Sequence, residues 1–276
     1  MAFQNQKIVV AGGTSGIGLA AARRFAREGA RVTVTGRDQE KLRAAEQVGS
    51  AAEQVGNVAE QKGDVAEQKG GAAGQEGKVP AEKDKTAGQG SITAIGVDSR
   101  DRAALDKFFA GHGQLDHLVI TTSGGKGMGE FAGLSLDVLR EGFAEKFWPQ
   151  LETVQAALPF INAGGSITLI TAISSIAKRP GTSGLAAING ALELMVPIFA
   201  QELKSIRINA VSPGLVDTPW WNFLPAENRQ AAFAEFTANI PAGRVAQPEE
   251  IADVIAFLAG NAYMTGKVIG CDGGMS

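Results

Sequence analysis

Short apolar runs and helical periodicity alternate about seven times along this chain, and that rhythm constrains its fold more than any other feature. Lys7 to Ala11 reads as an apolar strand, followed by glycines and a helical pattern through Ala20, Ala21, Phe25 and Ala26, and a second strand covers Arg31 to Thr35. The alternation resumes with strand Ile92 to Val97, helix Arg102 to Ala110, strand Leu118 to Thr122, helix Leu134 to Ile161 and strand Ser166 to Thr171. Helix Leu185 to Leu203, strand Arg207 to Val211, helix Glu249 to Ala259 and strand Lys267 to Cys271 complete it. Strands joined by helical crossovers pair in parallel and are covered on both faces, so they read as continuous Val/Ile/Leu runs. The expectation is a Rossmann-type, doubly wound parallel sheet of about seven strands in three α/β/α layers. At 276 residues with 44% hydrophobic content, one domain can hold the whole core.

One stretch departs from the rhythm. Seven-residue repeats begin at Ala44, Ala51, Val58 and Val65 and decay through Ala72 to Gly90. Gly49, Gly56, Gly63 and Gly70 recur once per repeat, each costing roughly 1 kcal/mol in a helix interior. Val48 and Val55 give way to Lys62 and Lys69, so little apolar area is available for burial. The domain is therefore read as spanning residues 1–276 with a low-complexity insertion at about 49–90. Its composition bears a weak likeness to desiccation-protection proteins. The insertion leaves where strands begin, whereas ligands in such sheets bind where strands end, which argues against an active-site lid.

Composition narrows the partners. With 26 basic against 29 acidic residues and no basic stripe interleaved with aromatics, nucleic acid is excluded as an expected partner. No basic segment precedes an apolar run at the N-terminus, and no stretch approaches about 20 uninterrupted apolar residues, so neither export nor a membrane span is expected. The lone Cys271 fits a reducing compartment, and the expected location is cytoplasmic. No cluster of His, Cys and carboxylates has ligand spacing, so no metal is expected.

The first crossover carries Ala11-Gly12-Gly13-Thr14-Ser15-Gly16-Ile17-Gly18 between a strand and a helix. Glycines there admit a pyrophosphate to the backbone amides, and the helix N-terminus adds partial positive charge. Gly12, Thr14, Ser15, Gly16, Ile17 and Gly18 are the candidate phosphate cradle. At the end of the second strand stand Gly36 and Arg37, where an acidic residue would instead hydrogen-bond a ribose hydroxyl. Arg37 suits a 2′-phosphate, with Asp38 read as a helix cap, and NADP(H) is expected over NAD(H).

Gly12-x-x-x-Gly16-x-Gly18 resembles the cofactor loop of the short-chain dehydrogenase/reductase family. Further segments are similar to that family: Asp98 after the third strand, Arg207-Ile-Asn-Ala-Val-Ser-Pro-Gly214, Val216-Asp217-Thr218, Thr265-Gly266 and Asp272-Gly273-Gly274. The resemblance implies that Asp98 and Ser99 lie near adenine. It likewise places Thr122, Ser123, Asn189, Pro213, Gly214, Val216 and Thr218 along the cofactor. It also implies carbonyl/alcohol chemistry by a Ser, a Tyr and a Lys four residues after the Tyr, and assembly into homodimers or homotetramers through two long helices. Pro197 falls inside the second of these and is expected to kink it.

The catalytic pattern itself departs from the family's. Leu185 stands where the Tyr should be and Asn189 where the Lys should be, and the only tyrosine, Tyr263, falls where the family's similar residue packs against the fold. Ser174 is the candidate catalytic serine and Lys146, where the family has a pocket-facing Asn, the candidate acid/base. Each has a plain alternative, a loop-capping serine and a solvated or salt-bridged lysine. His112 and His117 fall at the wrong end of the sheet and are read as structural. Trp220, Trp221, Phe223 and Leu224 suggest a small apolar substrate. Two roles stay open: an NADP(H)-dependent oxidoreductase with a non-standard proton relay, or a dinucleotide-binding sensor or interaction protein without turnover.

Overall fold

The structure is a computed structural model that describes residues 2–47, 90–238 and 240–276. Strands β1 (Lys7–Ala11), β2 (Arg31–Gly36), β3 (Ser91–Gly96), β4 (Leu115–Ile120), β5 (Ile161–Ile170), β6 (Arg207–Pro213) and β7 (Val268–Cys271) form one sheet in the order β3-β2-β1-β4-β5-β6-β7. Every neighbouring pair runs parallel. The Rossmann-type expectation therefore holds. The repeats at residues 49–89 lie outside the described residues.

Helices cover both faces because central strands bury side chains in both directions. On one face α1 (Gly16–Arg27) and α8 (Pro248–Gly260) pack Phe25, Ala21, Ile251 and Ile255 against Ile8, Val10, Val34 and Val211. On the other, α3 (Arg102–His112), α5 (Trp148–Ala157) and α6 (Ser183–Glu202) pack Leu105, Phe109, Val154 and Val196 against Val9, Leu118, Leu169 and Ile208. A further helix, α2, occupies 39–47, and the chain returns at Gly90 on the rim where strands begin, with the Ser91 amide bonded to Ala30. Local signals set several ends. The Asp101 side chain accepts from the Ala104 amide and starts α3, while the Glu250 carboxylate accepts from the Gln247 amide and from Arg244 at the head of α8.

One expectation changes. The long helix foreseen from Leu134 to Ile161 is built from α4 (Leu136–Gly142), a π-helical turn at Phe143–Phe147, α5 and a 3-10 turn at Leu158–Phe160. Pro149 near the start of α5 and Pro159 in the closing turn lack the amide that a continuous α-helical ladder needs. Helix α6 contains Pro197 within its span, so its ladder lacks the amide at that position. By length and composition α6 could cross a membrane, but it stands against β6 and buries Ile188, Asn189, Leu192 and Val196. Helix α7 (Ala226–Thr237), not foreseen, follows the Pro219–Phe223 turn.

Candidate active site

Strand order reverses between β1 and β4, and the loops leaving their carboxyl ends diverge there. A cavity of about 1340 Å³ opens along that rim. Every expected cofactor residue borders it: Gly12, Thr14, Ser15, Gly16, Ile17 and Gly18 after β1, Arg37 after β2, and Asp98 and Ser99 after β3. Thr122 and Ser123 after β4, Asn189 on α6, and Pro213, Gly214, Val216 and Thr218 after β6 complete that set, and Lys146 and Ser174 line the same cavity.

The glycine loop is shaped for close approach. Gly12 and Gly16 hold φ of 80° and 51°, where a side chain would strain the backbone. A Cβ on Gly18 would stand 2.5 Å from the Thr121 hydroxyl, which itself donates to the Ala11 carbonyl at 3.0 Å and ties the first loop to the fourth. Ser15 occupies the N-cap of α1 without a side-chain capping bond, and the first turn carries no acid, so its amides keep their capacity to bind an anion.

Sequence reasoning missed two cations near Arg37. Lys41 and Arg100 border the same end of the cavity. Arg100 chelates Asp98 at 2.7 Å, and that hydrogen-bonded partner holds the Asp98 carboxyl below the usual carboxylate range. Arg37 makes no ion pair among the described residues, whereas Lys41 reaches Asp38 only at 3.9 Å. The sequence signal was available in the positions after β2 and β3, whose carboxyl ends lie side by side.

Lys146 is not a solvated helix lysine. The π-helical turn seats it 6% exposed, and its Nζ donates to the Thr171 carbonyl at 3.1 Å. Burial lowers its pKa to about 8, opposed by the charge of Glu193. One turn further on, the buried Gln150 donates to the carbonyls of Thr122 and Ile170, joining the ends of β4 and β5. Ser174 sits in a 3-10 turn, and its hydroxyl oxygen accepts from Asn189 Nδ2 at 3.1 Å; the same amide nitrogen donates to Leu185 at 2.9 Å. Asn189 Oδ1 and Thr122 Oγ1 are buried without a hydrogen-bond partner. Such orphaned acceptors beside a cavity fit a ligand that brings hydroxyl or amide donors, as a nicotinamide nucleotide does.

Leu185 borders the cavity, while Tyr263 is 99% exposed and outside it. The expectation that Tyr263 packs against the fold is therefore corrected: it follows α8 on a surface turn with no neighbouring side chain to cover it. His112 closes α3, and His117 lies within β4, hydrogen-bonded to Ser166 and Gln6 at the opposite rim. Trp220, Trp221 and Phe236 wall the cavity's outer part, with Trp220 and Trp221 packed edge to face, whereas Phe223 is exposed.

Parallel seven-stranded sheet, glycine cradle and rim cavity together define a nucleotide-binding Rossmann protein. Comparison with known proteins narrows this. A model of the short chain dehydrogenase family matches residues 6–77, and its companion, described as enoyl-(acyl carrier protein) reductase, matches residues 75–276. A 3-oxoacyl-[acyl-carrier-protein] reductase of Thermotoga maritima is 32% identical over 66% of this chain and 75% of its own. Its namesake from Chlamydia muridarum is 28% identical over 99% of this chain and 98% of its own. Among solved structures, a small-chain dehydrogenase in complex with NADPH superposes with a TM-score of 0.72 at 25% identity, covering 99% of both chains. The chain belongs to the short-chain dehydrogenase/reductase family of oxidoreductases.

Proposed function

We propose that this protein transfers hydride between NADP(H) and a small, largely apolar carbonyl or alcohol, with Lys146 and Ser174 in place of the family's usual proton relay. The observation that carries the reading is a buried, cavity-lining lysine in a chain whose only tyrosine lies outside the cavity. The two curated relatives described above are reductases of 3-oxoacyl groups, which supports a carbonyl substrate.

The Gly12–Gly18 loop would hold the pyrophosphate, Asp98 and Ser99 the adenine end, and Arg37, aided by Lys41 and Arg100, a 2′-phosphate. Asn189 Oδ1 is suited to accept from a ribose hydroxyl. When bound, the reduced nucleotide supplies a hydride to the carbonyl carbon. Because Asn189 Nδ2 donates to the Ser174 oxygen, the serine's own proton is left to hydrogen-bond the substrate oxygen. Lys146, with one of its three protons on Thr171, delivers another to that oxygen as charge develops on it. An amine whose pKa is near 8 is mostly charged at neutral pH and still able to part with its proton. Trp220, Trp221 and Phe236 supply the apolar wall for the rest of the substrate.

NADPH oxidation followed by absorbance across ketones, aldehydes and quinones tests this. Lys146→Met and Ser174→Ala should each lower kcat by about a hundredfold or more with NADPH affinity little changed. Unimpaired turnover in both would refute the relay. Replacement of both Tyr and Lys favours the second reading, a nucleotide-binding sensor, and tight NADPH binding without turnover on any substrate would establish it. We further propose action in the cytoplasm and assembly as a homodimer or homotetramer. The exposed apolar side chains of α5 and α6 support the assembly, including Trp148, Leu194 and Ile198.

A further inference from the structure

We infer that Glu193 is a positioning residue for the proposed chemistry: by charge and by its grip on the end of β5, it keeps the Lys146 amine fixed and in its ammonium form. The inference rests on Lys146 as the acid, but the state of that amine can be read without any turnover.

A buried ammonium with a single carbonyl partner is expensive to desolvate unless a negative charge stands near it. Glu193 lies on α6 one turn after Asn189, and its Oε1 accepts two hydrogen bonds, from the Thr171 hydroxyl at 2.6 Å and the Ser212 hydroxyl at 2.8 Å. Those partners close β5 and β6, so the carboxylate clamps α6 to two adjacent strands at their carboxyl ends. Thr171 is the common member: its hydroxyl faces Glu193 while its carbonyl receives Lys146. A carbonyl accepts a hydrogen bond but cannot pass a proton onward, so Glu193 acts on Lys146 through position and field, not as a relay.

Other charges around the π-helical turn are paired with one another, turned to the cavity or set on another side of the helix. On α4, Asp137 pairs with Arg140, and Glu141 with Lys126, all exposed. Glu145, the preceding residue, lines the cavity and influences Arg100 and Lys126. On α5, Glu152 comes six positions later, on a different side of the helix. On α6, Glu193 is the carboxylate whose charge opposes the burial of Lys146.

The test follows the Lys146 side chain by NMR of protein carrying carbon-13 at lysine Cε, with its signal assigned by loss in Lys146→Met. The unmodified protein should titrate near pH 8. Glu193→Gln keeps an acceptor for both hydroxyls but removes the charge, and its midpoint should fall below about 7. Glu193→Asp restores the charge and should bring the midpoint back toward 8. A midpoint unchanged in Glu193→Gln overturns the inference, as does one that Glu193→Asp fails to restore in a folded protein. If the midpoint moves as expected but the pH–rate profile does not follow, Glu193 still governs the amine and it is Lys146 as acid that fails.

Discussion

At the residue scale, Arg37 and Lys146 are each expected to leave a distinct mark. Reversing the charge in Arg37→Glu should weaken NADPH binding at least about tenfold and leave NADH nearly unchanged, as calorimetry would record. An equal loss for both nucleotides would place the guanidinium away from the phosphate. If Lys146 is the acid proposed above, it sets a pH dependence whose sign differs with direction. Reduction needs the ammonium, so its rate should fall as pH rises through about 8, while alcohol oxidation, which needs the free amine, should rise over the same interval. The Gly12–Gly18 loop was legible from glycine spacing between a strand and a helix, whereas Thr122, Ser123, Asn189 and the residues after β6 were reached only through the family resemblance, and Lys41 and Arg100 were missed. The network behind the cavity was not legible. Glu193, Thr171 and Ser212 come from three elements, and nothing in their local spacing reveals that one carboxylate oxygen would receive both hydroxyls.

At the element scale, most strands and helices follow from period and punctuation, and the exceptions mark where tertiary contacts outweigh local pattern. The helix foreseen from Leu134 to Ile161 was uniform in periodicity, yet the protein inserts a π-helical turn at Phe143–Phe147. Such turns shift the side chains that follow, and here the turn carries Lys146 into the cavity wall. No periodicity signals an extra residue per turn. Helix α6 shows the opposite: its apolar length was plain, but which face would remain uncovered was not. Leu194 is 75% and Ile198 56% exposed, so the double variant Leu194→Asp/Ile198→Asp should convert a dimer or tetramer into smaller species by light scattering. A monomer before substitution would refute the assembly.

At the scale of the whole molecule, the sheet separates chemistry from maintenance. The carboxyl rim holds the cavity, while the amino rim holds His117, buried between Ser166 and Gln6 and packed against the edge of Phe3. Burial, with the charge of Arg207 adding to it and that of Asp116 opposing, lowers its pKa to about 4. A histidine kept neutral in the folded chain stabilises fully above its unfolded value near 6.5, and that contribution is lost as pH falls toward 4. The loss amounts to roughly 3 kcal/mol, which urea unfolding between pH 7 and 4 would measure. His117→Gln should flatten that slope; an equally steep one would assign the acid sensitivity to other groups.

The same partition bears on how the chain enters β3. The described chain resumes at Gly90 beside Ala30, on the rim opposite the cavity that Lys146 and Ser174 line. Gly90 is seated so closely there that a Cβ would stand 2.1 Å from the Ala26 carbonyl oxygen. A side chain at position 90 would therefore push the entry of β3 away from α1, on the rim remote from the cavity.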